Sequence, residues 1–346
     1  MPSMKTIAAF EALSNTDPNC FVVVEEDTPV ATGKDLLIHI DAISVNPVDY
    51  KDRLGISGHR ETPLVLGWDA CGEVIAIGDD VTGFKVGDKV ISAGDISRQG
   101  SYAQYQLVDE RITALKPAGL SDEQAATLPL TTLAAWEALF DRLGISDADE
   151  VEKPALLIIG GAGGLGSMAV QFARQFSSCT VIATASRPET KDWCLELGAH
   201  HVIDHSEDIQ AQLRELGYED VPYILNCSNN IPYWKLMSRL IAPEGAICLV
   251  ASTKAKLDLD LFMEKSVRIN YMLMFTRSLF KTKTMQLQGD LLARLSDMIS
   301  SGKVRHVMTK ELGPMTRASL AHAHALLESG RMVGKIRLTA LRDEVD

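Results

Sequence analysis

The stretch LLIIGGAGGLGSMAVQFA, residues 156–173, decides the fold. Gly161, Gly163 and Gly166 form a G-x-G-x-x-G, preceded by a short apolar run and followed by apolar residues at helical spacing. Leu165, Met168, Ala169, Phe172, Ala173 and Phe176 share one face of the helix this predicts. Glycines at that spacing allow a tight turn. They also let backbone N–H groups across Gly161, Gly163, Gly164, Leu165 and Gly166 approach a pyrophosphate at the helix N-terminus. A bare glycine match is weak, but this one has a strand on one side and a helix on the other. A dinucleotide is therefore the expected ligand.

The next strand tells which dinucleotide. A chain that binds NAD places Asp or Glu about 20 residues past the loop, where it holds the ribose 2′-hydroxyl. Here TVIAT (180–184) runs into SRPETK (186–191), which puts Ser186 and Arg187 at that place and Lys191 one turn on. A hydroxyl and two cations suit a 2′-phosphate. NADP(H) is the expected cofactor, with Glu189 at the start of the following helix.

Outward from this unit the strand–helix alternation continues through HVI (201–203), YILN (223–226), AICLV (246–250) and RINYMLMF (268–275). The spacing predicts a parallel, doubly wound α/β sheet of six strands. Before it, FVVVEE (21–26), DLLIHIDAISV (35–45), EVIAIG (73–78) and DKVISAG (88–94) read as short strands between turns. A helical stretch opens at Ser121, a ready N-cap for the acids that follow it. After the sheet, helices near 285–301 and 316–329 precede a final strand, KIRLT (335–339). A β-rich domain interrupted by an inserted nucleotide-binding domain accounts for this order.

At 346 residues the chain is long enough for two cores. Its mean hydropathy of +0.04 and the absence of any bilayer-length apolar run argue against a membrane protein. A net charge of −12 disfavours nucleic acid and anionic membranes as partners. The six cysteines are scattered without a C-x-x-C, as expected of free thiols in the cytoplasm. The end LRDEVD reads as a solvated tail. One further stretch, LVLGWDACGEV (64–74), stays open on its residues alone: Trp68, Asp69 and Cys71 suit a metal site, a substrate wall or strand packing.

With ISVNPVDYKDR (43–53), PLVLGWDACGEV (63–74), FKVGDKV (84–90), GSYAQY (100–105) and the glycine loop, the chain resembles the medium-chain dehydrogenase/reductase superfamily over nearly its whole length. The resemblance implies a GroES-like catalytic domain at 1–128, a Rossmann domain at 129–281 and a C-terminal return to the first domain at 282–346. In the zinc enzymes of that superfamily a cysteine stands where this chain has Asn46, and a histidine and glutamate stand where it has Trp68 and Asp69. No cysteine lies between Cys71 and Cys179 to supply a later ligand. The departure matches the zinc-free quinone oxidoreductase branch, and within it the subgroup labelled zinc-type alcohol dehydrogenase-like. No zinc is expected.

That branch implies hydride transfer from NADPH to a quinone or an α,β-unsaturated carbonyl. By resemblance, Tyr50 is the candidate proton donor and Asn46 orients the ribose or the substrate oxygen. Trp68 and Phe275, the latter at the end of the sixth strand, line the substrate pocket. Thr131 and Thr132 approach the nicotinamide, Asn226 and Ser228 the ribose, Ser252 the nicotinamide pocket and Lys335 the pyrophosphate. Two other readings compete: a zinc-dependent alcohol or aldehyde dehydrogenase, and an NADPH-binding sensor or structural protein with negligible turnover. The sixth strand, if it lies at the sheet edge, predicts a homodimer.

Overall fold

The computed structural model describes residues 3–146 and 153–341, so the acidic tail beyond Leu341 lies outside the described residues. The chain forms two compact units, Met1–Leu133 with Phe275–Asp346, and Ala134–Met274. These borders depart by a few residues from 128 and 281, for two local reasons. Leu130 donates its backbone N–H to Asp69 Oδ1 at 2.7 Å, which ties the start of the helix Pro129–Trp136 to the first unit. Phe275 packs edge-on against Trp68, with ring centroids 5.8 Å apart, and belongs to the same unit.

In the first unit the sheet order is Met308–Met315, Lys335–Leu341, Asp35–Val45, Asp69–Ile77, Lys89–Ser92, Thr113–Leu115. Asp35–Val45 is the central strand because its side chains, Ile38, Ile40, Ala42 and Ile43 among them, are fully buried. One of its edges is shared end to end. Asp35–His39 pairs with Tyr105–Asp109, and Ala42–Val45 pairs with Ile336–Thr339. The other edge carries Asp69–Ile77, with Ser44 opposite Asp69. Three neighbouring strands therefore bring the end of one (Val45), the start of the next (Asp69) and the start of the last (Lys335) to the same end of the sheet.

Two local features finish that end. Pro47 opens the helix Pro47–Leu54, where its missing N–H costs nothing, and Asn46 precedes it in extended conformation. Gly67 has φ +93°, and a Cβ there would stand 2.4 Å from the Tyr102 ring, so only glycine lets the chain turn into Trp68 and Asp69 at this point.

The second unit is an all-parallel sheet in the order His201–Ile203, Thr180–Thr184, Ala155–Ile159, Val221–Asn226, Ile241–Leu249, Arg268–Tyr271. That is the doubly wound order, and its direction reverses between Ala155–Ile159 and Val221–Asn226. The glycine loop and Asn226 leave the carboxyl ends of these two strands, where open α/β sheets bind ligands. Ile159, Ile182, Ile224, Trp234, Ile247 and Phe262 belong to the apolar core beneath.

The sixth strand is shorter than its apolar run predicts. Its pairing stops at Tyr271, opposite Leu249, because the neighbouring strand ends there. Phe275 is thus not a strand end; it precedes the short helix Thr276–Leu279. The stretch from Ser121 is likewise broken: a short helix Asp122–Ala126, capped by Ser121, ends before Pro129 restarts the chain as Pro129–Trp136. No helix among the described residues is long and apolar enough to cross a membrane.

Candidate functional site

The three motif glycines do different work. A Cβ on Gly166 would fall 2.2 Å from the Gly160 carbonyl oxygen, so this residue must be bare for the helix Gly164–Phe176 to meet the strand. A Cβ on Gly161 would sit 2.7 Å from the Ala183 Cβ on the adjacent strand. Gly163 is different. Its φ is ordinary (−69°) and its added Cβ would meet nothing nearer than 3.7 Å, so the protein's own packing does not require a glycine there. The helix that follows has no side-chain cap, and the first-turn N–H groups of Gly164, Leu165 and Gly166 have no partner one turn back. An open cradle on an uncapped 13-residue helix fits a dinucleotide pyrophosphate.

Beyond the second strand, Ser186 is half-buried, and Arg187 stands just before the helix Pro188–Glu196 with its N–H given to Thr190 Oγ1 at 3.1 Å. Both cations meet acids. Arg187 Nε lies 3.1 Å from Glu189, and Lys191 Nζ lies 2.8 Å from Asp204, whose carboxyl the ammonium holds well below the usual carboxylate range. At the switch point Asn226 is fully buried and uses both ends of its amide. Its oxygen accepts the Ser228 N–H at 3.0 Å, and its nitrogen donates to Asn230 at 2.9 Å. It shapes the loop that carries Ser228, whereas Ser252 is exposed.

In the first unit the centre is a buried cluster that the sequence reading did not assemble. Asp69 is 0% exposed and accepts from Leu130 N–H on one oxygen and from Asn46 Nδ2 (2.8 Å) and Lys335 Nζ (2.7 Å) on the other. Lys335, 3% exposed, also donates to Asn46 Oδ1 and to the Val45 carbonyl. This corrects two expectations. Lys335 is not left to reach a pyrophosphate, because its ammonium is spent inside the sheet. Asn46 does not present a free amide either, because its oxygen is held by Lys335 and its nitrogen by Asp69.

Next to this cluster Trp68 and Phe275 do come together, at 1% and 2% exposure, and the Trp68 indole nitrogen has no partner among the described residues. Thr132 is fully buried with its hydroxyl likewise unpartnered, while Thr131 bonds back to the Thr127 and Leu128 carbonyls. Tyr50 is half-buried on the helix Pro47–Leu54 and makes no hydrogen bond among the described residues. Burial, helped by the charge of Glu328, pushes its phenol pKa up, so it holds its proton.

A profile described as zinc-binding dehydrogenase matches residues 164–289, and the alcohol dehydrogenase GroES-like domain matches residues 32–118. A zinc-type alcohol dehydrogenase-like protein of Staphylococcus epidermidis is 38% identical over 334 residues, covering 96% of this chain and 98% of the relative. The chain belongs to the medium-chain dehydrogenase/reductase superfamily. It is an oxidoreductase of that superfamily, with its GroES-like and Rossmann parts in the two units described above. It is also similar to the 2-methylene-furan-3-one reductase of Solanum lycopersicum, at 28% identity over 96% of this chain and 80% of the relative. Among solved structures it resembles the quinone oxidoreductase of Coxiella burnetii (TM-score 0.80, 28% identity, 97% of this chain and 99% of that one). A mycobacterial protein complexed with NADPH is comparably close (TM-score 0.81, 26% identity, 97% and 99%).

Several of the superfamily's members carry zinc in their names, and the residues of this chain do not fit the ion. Among the described residues no group of three or more His, Cys, Asp or Glu side chains is placed to hold a metal. At the expected positions, the Trp68 nitrogen can only donate, Asn46 is engaged on both sides, and Asp69 already faces an ammonium. Burial pushes the Cys71 thiol well up, away from the thiolate that zinc needs.

Lys335→Met strands a buried carboxylate and should cost about 3–5 kcal/mol in urea unfolding. Combining it with Asp69→Asn should restore part of that loss. In the loop, Gly163→Ala should leave stability within about 0.5 kcal/mol but weaken dinucleotide binding at least tenfold by fluorescence titration. Gly166→Ala should destabilise by about 1–3 kcal/mol through its backbone clash.

Proposed function

We propose that this chain is an NADPH-dependent reductase of quinones or α,β-unsaturated carbonyls that works without a catalytic metal. The observation that carries the reading is the Asn46–Asp69–Lys335 cluster. Reduction of a simple ketone builds a localised alkoxide that calls for a strong electrophile such as a metal ion. Here the cation at that end of the sheet is already neutralised by Asp69 and offers no such charge. NADPH, when bound, supplies the hydride. A conjugated acceptor spreads the resulting charge into an enolate or phenolate, for which a single hydrogen-bond donor suffices. Tyr50, half-buried and holding its proton, is that donor. Trp68 and Phe275, buried and packed edge-on, are the apolar side chains we assign to the wall of the substrate pocket. The names of the tomato and Coxiella relatives, an enone reductase and a quinone oxidoreductase, lean the same way.

Preference for NADPH is supported by Ser186, Arg187 and Lys191, and by the NADPH bound to the mycobacterial relative. We further propose a homodimer in the cytoplasm. Arg268–Tyr271 is an edge strand of the parallel sheet, and Leu259, Met263 and Tyr271 on or just before it are 59–73% exposed. None of the six cysteines, all among the described residues, is in a disulfide, which suits a reducing compartment.

One preparation tests most of this. NADPH oxidation should proceed with quinones, enals or enones, survive a chelator, and occur in protein holding well under one zinc per chain. The same sample should scatter light as a dimer. Stoichiometric zinc with activity lost on chelation would overturn the metal-free reading, and tight NADPH binding with no oxidation across the panel would leave a cofactor-binding protein. Tyr50→Phe should slow enone reduction about tenfold or more and quinone reduction less, because only the enone needs a proton delivered to carbon. Arg187→Ala should cut NADPH affinity by roughly tenfold and leave NADH affinity unchanged, the loss expected for one charge-assisted hydrogen bond. An unaltered preference would remove Arg187 from the phosphate site.

A further inference from the structure

A second buried network lies behind Asn46, and neither the sequence reading nor the proposed chemistry uses it. Arg53, Tyr102, His324 and Asp49 are each 0% exposed. Arg53 Nε lies 3.2 Å from His324 Nδ1, His324 Nε2 3.0 Å from the Tyr102 hydroxyl, and that hydroxyl 2.9 Å from Asp49 Oδ2. The same Asp49 oxygen accepts the Asn46 backbone N–H at 2.9 Å. At the outer end Arg53 pairs with Glu328 at 2.6 Å.

The chemistry of the donors fixes the direction of every bond. A guanidinium only donates, so His324 Nδ1 accepts. Burial, with Arg53 beside it, pushes the His324 pKa down to about 3, so the ring is neutral and carries its single proton on Nε2. That proton goes to the Tyr102 oxygen, and the Tyr102 proton goes to Asp49. The chain therefore runs one way, from a cation to a carboxylate, with each bond polarising the next. Phe21 closes its side, edge-on to His324 at 5.0 Å, and the Tyr102 ring lies against the bare Gly67 that leads into Trp68 and Asp69.

We propose that Tyr102 and His324 are positioning residues: with Arg53 they form a one-way hydrogen-bond chain that ends on Asp49, holds the Asn46 end of the helix Pro47–Leu54, and ties the geometry around Lys335 to whether Asp49 is ionised. This rests on the reading of the Asn46–Asp69–Lys335 cluster as the reacting end of the first unit. Burial lifts Asp49 to about 7, against the opposing effects of the Asn46 N–H, the Lys335 charge and the Tyr102 hydroxyl; the Asp69 charge adds to the rise. Behind Tyr102 stand His324 and then Arg53, with Glu328 on Arg53 at the outer end; on its own helix Lys51 and Asp52 interact with each other. One Asp49 oxygen, Oδ1, has no partner among the described residues and is where a proton would sit. Ionised Asp49 accepts strongly from Asn46 and Tyr102; protonated Asp49 accepts weakly and frees both.

The sign is set by the direction of the shift. Activity supported by the ionised form falls as pH drops through about 7. Stability goes the other way: folded Asp49 keeps its proton up to about 7 while the unfolded chain loses it near 4, so the folded protein loses stability as pH rises between these values.

The test follows the backbone amide resonance of Asn46 by NMR against pH in the full chain, which needs no substrate. It should titrate with a midpoint near 7 in the wild type. In Tyr102→Phe the midpoint should rise by about half a unit to one unit, the equivalent of one lost hydrogen bond. In Asp49→Asn the titration should vanish, together with the wild type's loss of melting temperature between pH 5 and 7. The acid limb of kcat against pH should move upward with the midpoint in Tyr102→Phe. A midpoint unmoved by Tyr102→Phe, or an Asn46 resonance that still titrates in Asp49→Asn, would overturn the proposal. If no quinone or enone is turned over while the Asn46 titration behaves as described, the functional reading fails and the coupling stands.

Discussion

A carboxylate with no exposure to water has to find its hydrogen bonds inside the protein, and Asp69 finds them on three distant pieces of chain. Leu130 opens a helix on it, Asn46 follows the central strand beside it, and Lys335 begins the last strand 266 residues away. None of these can be removed without stranding a charge or a donor. A buried ion pair is weak evidence of stability, since an apolar pair of the same volume often does as well. What it does impose is register. A one-residue slip of Lys335–Leu341 along Asp35–Val45 would turn Lys335 away from Asp69 and leave both charges unpaired. The interrupted order of the first unit, with its last strand returning to its central one, is held to a single alignment by this contact.

The same contact decides what chemistry the sheet end can offer. The Asn46 amide has only one satisfactory orientation there, because an ammonium can only donate to its oxygen and a carboxylate can only accept from its nitrogen. With Asn46 and Asp69 both committed, the charge of the Lys335 ammonium is balanced by Asp69. The site is electrostatically quiet. A quiet site suits an acceptor that stabilises its own developing charge by conjugation, and it suits poorly one that relies on a Lewis acid. Behind Asn46, an arginine, a neutral histidine and a tyrosine hydroxyl connect in one direction to Asp49, the second carboxyl whose charge is felt at Lys335.

What could be read in advance depended on how local the encoding is. The dinucleotide loop was legible because strand, glycines and helix lie within about twenty consecutive residues, each glycine answering a contact of under 3 Å or an open approach. The doubly wound order followed from alternation alone. The end of the sixth strand did not, because MLMF continues an apolar run past the point where Leu249 ceases to offer a partner; apolarity marks burial, and pairing depends on the neighbour. Lys335 was misplaced for a related reason. Its meaning lies in a strand pairing that no periodicity reveals, and a lysine near a cofactor fold invites a phosphate contact by default. His324 carried one usable signal, a place beside the buried Leu320 and Ala323 on the helix Arg317–Glu328, but nothing in the sequence linked it to Tyr102.

Counting charges was also too simple at the second strand of the Rossmann unit. The sequence offers Arg187 and Lys191 as two cations for a phosphate, yet in the fold each already meets an acid, Glu189 and Asp204. Discrimination there cannot rest on a surplus of positive field. On the proposed NADPH preference it would come from exchange: a 2′-phosphate brings up to two negative charges and three strong acceptor oxygens, and so would outcompete single carboxylates for the same donors, whereas a ribose hydroxyl offers nothing that would break either pair. The acids act as placeholders that keep the cations ordered and satisfied until a stronger anion arrives. Because Arg187 and Glu189 are both substantially exposed, at 37% and 63%, little desolvation opposes that exchange, and the outer pair is the one free to rearrange. Lys191, on the helix and held by the more enclosed Asp204, would stay in place on that reading, leaving the selection to Arg187.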